Sequence, residues 1–369
     1  APIIGPTFGG FLTDNYSWRW AFYVNVPVGI VSLLMMGRFL EDPPWIKHGK
    51  AGRLDGVGFA FLVIWVGALQ VVLDKGQDED WFSSRFITRL TIITVIGLVA
   101  FIIRELCVEE PFADLRVFAD RNFWAGTLTI FIVAGVLYAS STLLPQFLQT
   151  LLGYTAELSG WAITPRGMGA LVAMPLVGYL MSSIDGRKMV LFGLTLMAVS
   201  NFMLGNLNLE IAMENFVIAN IIQGFGMGFI WVPVMTLAVS TLKPEQMGNA
   251  TGLFNLVRNV GGSIGISVAV THLVRSAQAH QNILVGHLTP YDPAYQGVMA
   301  KLQAAFAQIA GGPQAQPMAH GAIYGILLQQ ANLLAFVDTY RWMALAALLC
   351  VPGVLLMKKV IARSGPAVH

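Results

Sequence analysis

Charge is what this chain has least of. Of its 369 residues 11% are Asp, Glu, Lys or Arg, against 56% that are hydrophobic, and the mean hydropathy is +0.66. A water-soluble fold draws about 25% of its residues from the charged set, so a soluble protein of this length could not cover its surface. The apolar excess must face lipid. Cysteine is almost missing: Cys107 and Cys350 stand far apart at the ends of apolar runs, which indicates neither a disulfide framework nor a metal site. The net charge of +2 is too small to argue for nucleic acid. No Ser/His/Asp set, HExxH or P-loop is found, so an enzyme is not expected. His272, His280, His287 and His320 are spaced too irregularly to suggest a metal site or a pH sensor. Carboxylates are missing from the middles of the apolar runs, with Asp14, Glu157 and Asp338 nearest to them.

The runs themselves are abundant. About 20 apolar residues cross a bilayer as a helix, and complete spans are expected near 18–40, 56–73, 86–106, 123–147, 158–181, 189–208, 215–241, 248–272 and 339–357. The fold class is therefore an all-α polytopic membrane protein. It has nine complete transmembrane helices, and residues 1–13 read as part of a tenth. Placing 14–18 outside puts thirteen Lys/Arg on inner segments and seven on outer ones, which sets the C-terminus in the cytoplasm. The connection 273–338 is too polar to cross. Within it, GAIYGILLQQANLLAFV at 321–337 has helical spacing and is expected either as a helix lying at the membrane surface or as a loop packed on the protein's outer face.

Several motifs carry chemistry. Gly5, Pro6, Gly9 and Gly10 put small residues on a helix that Pro6 bends; such a helix suits close packing or a joint between rigid bodies. Arg166 and Arg258 lie inside spans, where a lone Arg is costly unless it faces protein or water. Asn255, Arg258 and Asn259 share a face and read either as a polar cavity wall or as a structural arginine; Arg166 reads as structural. Tyr138, Thr142, Gln146 and Gln149 on one span, and Gln223 and Trp231 on another, suit a cavity for amphipathic compounds or, singly, interhelical hydrogen bonding. The turn around Asp185 and Arg187 reads as a charge network on the cytoplasmic side or a positive-inside anchor. Asp338 and Arg341, where the last span begins, are structural or coupling candidates.

The run GPTFGG, then Asp14, then WRWAFYVNVPVG (which holds Asn25, a candidate for the substrate cavity) resembles the major facilitator superfamily, and within it the fourteen-span drug:proton antiporters of the EmrB/QacA type. LDGVGFAFLVIWVGALQVVLDKGQDEDWFSS, PFADLRVFADRNF, LLPQFLQTLLGYTAELSGWAITPRGMG and NLVRNVGGSIGISV extend the resemblance along the chain. It implies that Gly5–Gly10 belong to the antiporter motif of the fifth span, with roughly 130 residues upstream at ordinary span and loop lengths. The units would be 1–40 as the end of the N-terminal bundle, 41–121 as linker and two extra spans, and 122–272 as the C-terminal bundle. The rest would be 273–338 as a periplasmic connection and 339–369 as last span and tail. The implied function is proton-driven multidrug efflux across a bacterial inner membrane, with no cofactor beyond the proton gradient and with the carrier carboxylate upstream. Its partners would be small amphipathic substrates, the lipid bilayer, a periplasmic adaptor and an outer-membrane channel. Export of one metabolite, such as an amino acid or a siderophore, and a non-transporting membrane scaffold are the alternatives.

Overall fold

Long helices with short joints account for nearly everything that the computed structural model describes, which is residues 4–39, 55–109 and 111–358; no strand occurs among them. In chain order they are α1 (Ile4–Asn15), α2 (Trp20–Tyr23), α3 (Asn25–Phe39), α4 (Gly56–Lys75), α5 (Arg85–Cys107), α6 (Arg121–Thr150) and α7 (Ala156–Leu180). There follow α8 (Gly186–Leu204), α9 (Met213–Val239), α10 (Met247–Val285), α11 (Pro293–Ala310), α12 (Gly312–Leu348) and α13 (Val351–Leu356). Asp side chains set several starts by accepting backbone N–H groups: Asp55 for α4, Asp120 for α6 and Asp185 for α8.

Among the described residues eight helical stretches are long and apolar enough to cross a membrane, against the nine expected. The difference is α7, where 158–181 does form a helix but Thr164, Pro165 and Arg166 lower its hydropathy. Much of α7 is packed inside protein, between α9 and α1, so it has less need of a lipid-compatible surface.

The bundle is built from α6 to α10 with α12 and α13. In it α7 and α8 pack on α9, while α10 packs on α6 and α12. Phe123, Phe147, Phe216, Phe254 and Tyr340 are fully buried in its core. The pair α4–α5 leans on α10, whereas α3 packs mainly on α2 among the described residues and has no buried residue.

Two sets of contacts mark the ends of this bundle. At one, Arg187 Nη1 donates to Met357 O at 3.1 Å and Arg121 Nε to Leu356 O at 2.7 Å. At the other, Arg341 donates to Gly205 O at 3.0 Å and to Asn206 Oδ1 at 3.1 Å. Beyond that second end α10 and α12 simply continue. With 39 and 37 residues they are about 55–60 Å long at 1.5 Å per residue, against a hydrocarbon core of about 30 Å. Residues 321–337 are therefore neither a loop nor a separate surface helix. They belong to α12 and run unbroken into the last span. Together with the end of α10 and α11 they form a helical extension, tied by His280 Nε2 to Asp338 Oδ2 at 2.7 Å and by His272 to Thr339 at 3.0 Å.

Candidate transport site and helix interface

The contact between α1 and α7 is made by small groups. A Cβ added at Gly10 would fall on the backbone of Ala156 and Glu157, and one at Gly160 on that of Pro6 and Thr7. Backbones meet here without intervening side chains. The Thr7 and Thr164 hydroxyls bond to each other across the same face. At the end of the interface Asp14 accepts the backbone N–H groups of Ala156 (3.3 Å) and Glu157 (2.7 Å). The glycine motif is thus an interface, but its glycines are not equivalent. Gly5 and Gly9 have open space where a side chain would sit.

Inside the bundle a second constellation surrounds Arg166, which is 8% exposed. Its Nε donates to Asn220 Oδ1 at 3.1 Å, its Nη1 to Ser141 Oγ, and its Nη2 to Ser140 Oγ at 3.4 Å. Asn220 Nδ2 donates in turn to the carbonyls of Ala162 (3.1 Å) and Phe216 (2.9 Å). Gln223 Nε2 donates to Ser140 Oγ at 3.1 Å. The partners of Arg166 are an amide and two hydroxyls on neighbouring helices, a structural arrangement. One expectation is corrected. Gln223 is fully buried in this network and does not line a cavity. Asn220, Ser140 and Ser141 were not singled out in the sequence, although Asn220 and Gln223 stand one turn apart on α9 and the serines adjoin on α6.

Arg258 is different. It is half-buried on α10, and its guanidinium lies over the Trp231 ring of α9 at 4.9 Å from the centroid. Its Nη2 donates to Asn259 Oδ1 at 3.3 Å, and Asn255 Nδ2 is satisfied by Thr251 O one turn back. The Tyr138 ring lies where a side chain at Gly262 of α10 would go, so α6, α9 and α10 bring Tyr138, Trp231 and the Arg258 face into one region of the bundle. Gln146 and Gln149 are exposed nearer the end of α6, and Asn25 on α3 is exposed and bonded to Ala21 O; the structure does not bring these three to Arg258.

At the Arg187 end, Asp185 takes Arg187 Nη2 at 2.9 Å. Arg341 and Asp338 tie elements together at the other end, as described above. A further charged cluster was missed in the sequence. Asp55 accepts Arg104 Nε and Nη2 at 3.0 and 3.1 Å, and buried Glu105 accepts Ala113 N at 2.9 Å, joining α4 to α5 and to the segment before α6. The Arg104 guanidinium, above all by its hydrogen bond, holds the Asp55 carboxyl below the usual carboxylate range.

Residues 1–266 match the Major Facilitator Superfamily family. The chain belongs to the major facilitator superfamily. It is 33% identical to the multidrug export protein EmrB of Escherichia coli K12 over 97% of this chain and 68% of that protein. It is 34% identical to the probable multidrug resistance protein EmrY of the same strain, over 80% and 57% of the two chains. With the fatty acid resistance protein FarB of Neisseria gonorrhoeae it shares 32% identity over 82% and 59%. Of the last two relatives it spans under two thirds of the length. Among solved structures, a bacterial homologue of the human lysosomal transporter Spinster, inward-facing and unoccupied, covers 96% of this chain and 81% of its own, at 17% identity and a TM-score of 0.47.

Within this superfamily the α1–α7 contact is the part of the present chain that joins the glycine-motif helix to the bundle α6–α13. The Arg166 network sits behind it and fixes α7 to α6 and α9. The Arg258–Trp231 region lies on other helices of the same bundle.

Proposed function

We propose that this chain exports amphipathic compounds of varied charge across a bacterial inner membrane, driven by protons entering in exchange, with its C-terminus in the cytoplasm. The observation that carries the reading is the Arg258 guanidinium lying over the Trp231 ring. A cation held on an aromatic face is bound by about 1 kcal/mol, more where water is excluded. That is strong enough to keep both groups in place and weak enough for cargo to displace either. An anionic headgroup takes the guanidinium, a cationic one takes the ring, and Tyr138, Asn255 and Asn259 supply adaptable polar edges. The relatives named for multidrug export and fatty acid resistance support this breadth.

Cargo is bound in the bundle and released by rocking of the α1 side against the α7 side. The extension at 273–338 stands at the end of the bundle opposite Arg187, and we assign to it the contact with a periplasmic adaptor and, through it, an outer-membrane channel.

Everted membrane vesicles test the reading. Uptake of a fluorescent lipophilic cation and of a long-chain fatty acid anion should depend on the proton gradient and vanish with a protonophore. Trp231→Ala should reduce cation uptake more than anion uptake, and Arg258→Ala should do the reverse. If neither variant changes either uptake, this region does not bind cargo. Transport of one small metabolite and of neither probe would favour a dedicated exporter.

A further inference from the structure

We infer that the groove between α6, α10 and α12 holds one diacyl phospholipid with an anionic headgroup, drawn from the leaflet at the Arg341 end of the bundle. The inference does not depend on the cargo or on the direction of transport.

The groove starts from glycines. A Cβ at Gly261 of α10 would fall on the Phe131 backbone of α6, and one at Gly265 on the Gly135 backbone. The two backbones therefore touch, and beside their contact lies a hollow of about 360 Å³. It is walled by Phe131, Val136 and Ala139 of α6, Ile264 and Val268 of α10, and Ala346 of α12. Val268 and Trp342, which also line it, are 61% and 59% exposed, so the hollow is open to the side. Phe131 and Ile264 continue into a second apolar hollow of about 640 Å³, between the bundle and the α4–α5 pair. That pair is tied to α10 near the end of α4, where Ser263 Oγ donates to Gln70 Oε1 and Ser267 Oγ to Leu73 O, both at 2.9 Å. Farther along, Trp65, Leu98 and Phe101 stand around space that no side chain fills. No residue of α1, α7 or α9 lines either hollow, so neither belongs to the α1–α7 interface.

The other end of the groove is polar and basic. Val268 and His272 pass from the first hollow into a third, which Trp81, Thr271, Arg275 and Ser276 complete. Trp342, next to Arg341, meets the His272 ring at 6.0 Å between centroids. Two tryptophans at this level mark the membrane–water interface. Arg275 is exposed and has no ion pair or hydrogen bond among the described residues, and no carboxylate lines any of the three hollows. Asp338 is already taken by His280. Thr339 gives its proton to Ala335 O, so His272 Nδ1 donates to Thr339 and its Nε2 is left unbonded.

These features select the occupant. From Gly261 to Arg275 α10 rises about 21 Å at 1.5 Å per residue, which is the depth of one leaflet with its headgroups. A phosphate at Arg275 therefore places acyl chains along the groove. Two connected apolar hollows take two chains, which favours a diacyl lipid over a fatty acid. An ammonium finds no carboxylate at this end, which favours an anionic headgroup over a zwitterionic one.

The test uses the complete transporter in detergent micelles, otherwise free of cysteine, with Val268→Cys in the first hollow or Ile102→Cys in the second as reporter. Maleimide labelling is followed while phosphatidylglycerol, phosphatidylethanolamine or oleate is added. Phosphatidylglycerol should slow labelling at both positions, half-maximally at about a fivefold lower concentration than phosphatidylethanolamine, the factor that one basic side chain contributes near a lipid surface. Arg275→Gln changes an exposed side chain and should abolish that preference, whereas Lys301→Gln, on α11, should keep it. Ala346→Phe should weaken protection of Val268→Cys by either phospholipid. Equal protection by the two phospholipids in the parent overturns the proposal, and so does a preference that survives Arg275→Gln. Protection by oleate at a lower concentration than by phosphatidylglycerol would make the groove a fatty-acid site and also overturn it. A Val268→Cys that stays unreactive without added lipid would show that protein covers the groove, with the same consequence.

Discussion

Gly9 and Gly10 are chain neighbours with opposite surroundings. A side chain at Gly10 runs into the α7 backbone at Ala156 and Glu157, which cannot move without unwinding a helix start, while a side chain at Gly9 enters open space. Gly10→Leu should therefore separate α1 from α7 at a cost of about 1–3 kcal/mol, as overpacking does. Gly9→Leu should be tolerated, and thermal melts of the two purified variants compare them directly. In sequence GPxxGG reads as a close-packing helix or a joint between rigid bodies, and of its glycines Gly10 meets the α7 backbone. The motif alone could not say which glycine touches the neighbour, because the rotation of α1 about its axis is set by Asp14 and Thr7, whose partners lie about 150 residues away in the chain. The two arginines make a matching contrast. Removing Arg166 leaves buried Asn220 Oδ1 without its donor and empties the space the guanidinium fills between α6, α7 and α9, so Arg166→Leu should lower stability by about 3 kcal/mol. Half-buried Arg258 gives up mainly its stacking on Trp231, so Arg258→Ala should cost about 1 kcal/mol or less while impairing transport. Equal melting temperatures for the two variants would refute this division.

Individual helices were legible wherever hydropathy alone determined them. The runs at 56–73 and 86–106 emerge as α4 and α5 with their ends moved by no more than two residues. Composition failed where a helix leaves the lipid. The polar segment 273–285 carries no hydropathy signal, and the apolar spacing at 321–337 does not reveal that this helix runs on into the last span; α10 and α12 pack on each other here through His280–Asp338 and His272–Thr339. The joint between α4 and α5 was invisible for a similar reason, since Asp55 and Arg104 are 49 positions apart. That joint has a defined pH behaviour. The folded Asp55 carboxyl lies below its unfolded value, so its stabilisation is fully present above the unfolded value and is lost as pH falls through the folded one. The melting difference between the parent and Asp55→Asn should thus stay constant from neutral pH down to the ordinary carboxylate range, about pH 4, and shrink below it. A difference that closes near neutral pH would show that another group governs the joint.

For the whole molecule, the bonds at the two ends of the bundle turn a list of helices into a membrane topology. Arg187 with Met357 and Arg121 with Leu356 bring the starts of α8 and α6 and the end of α13 to one end; Arg341 with Gly205 and Asn206 fixes the other. The extension formed by α10, α11 and α12 stands beyond the Arg341 end, so Lys188 and Lys301, both exposed, belong to opposite sides of the membrane. The excess of Lys and Arg on the Lys188 side argues that this side is cytoplasmic. In a chain without other cysteines, Lys301→Cys should react with an impermeant maleimide in intact cells and Lys188→Cys only in everted vesicles. The reverse pattern would keep the fold and invert the orientation, and with it the proposed direction of export. Labelling of both positions from one side would contradict the helix directions themselves, because α8 would then have to start and end at the same surface.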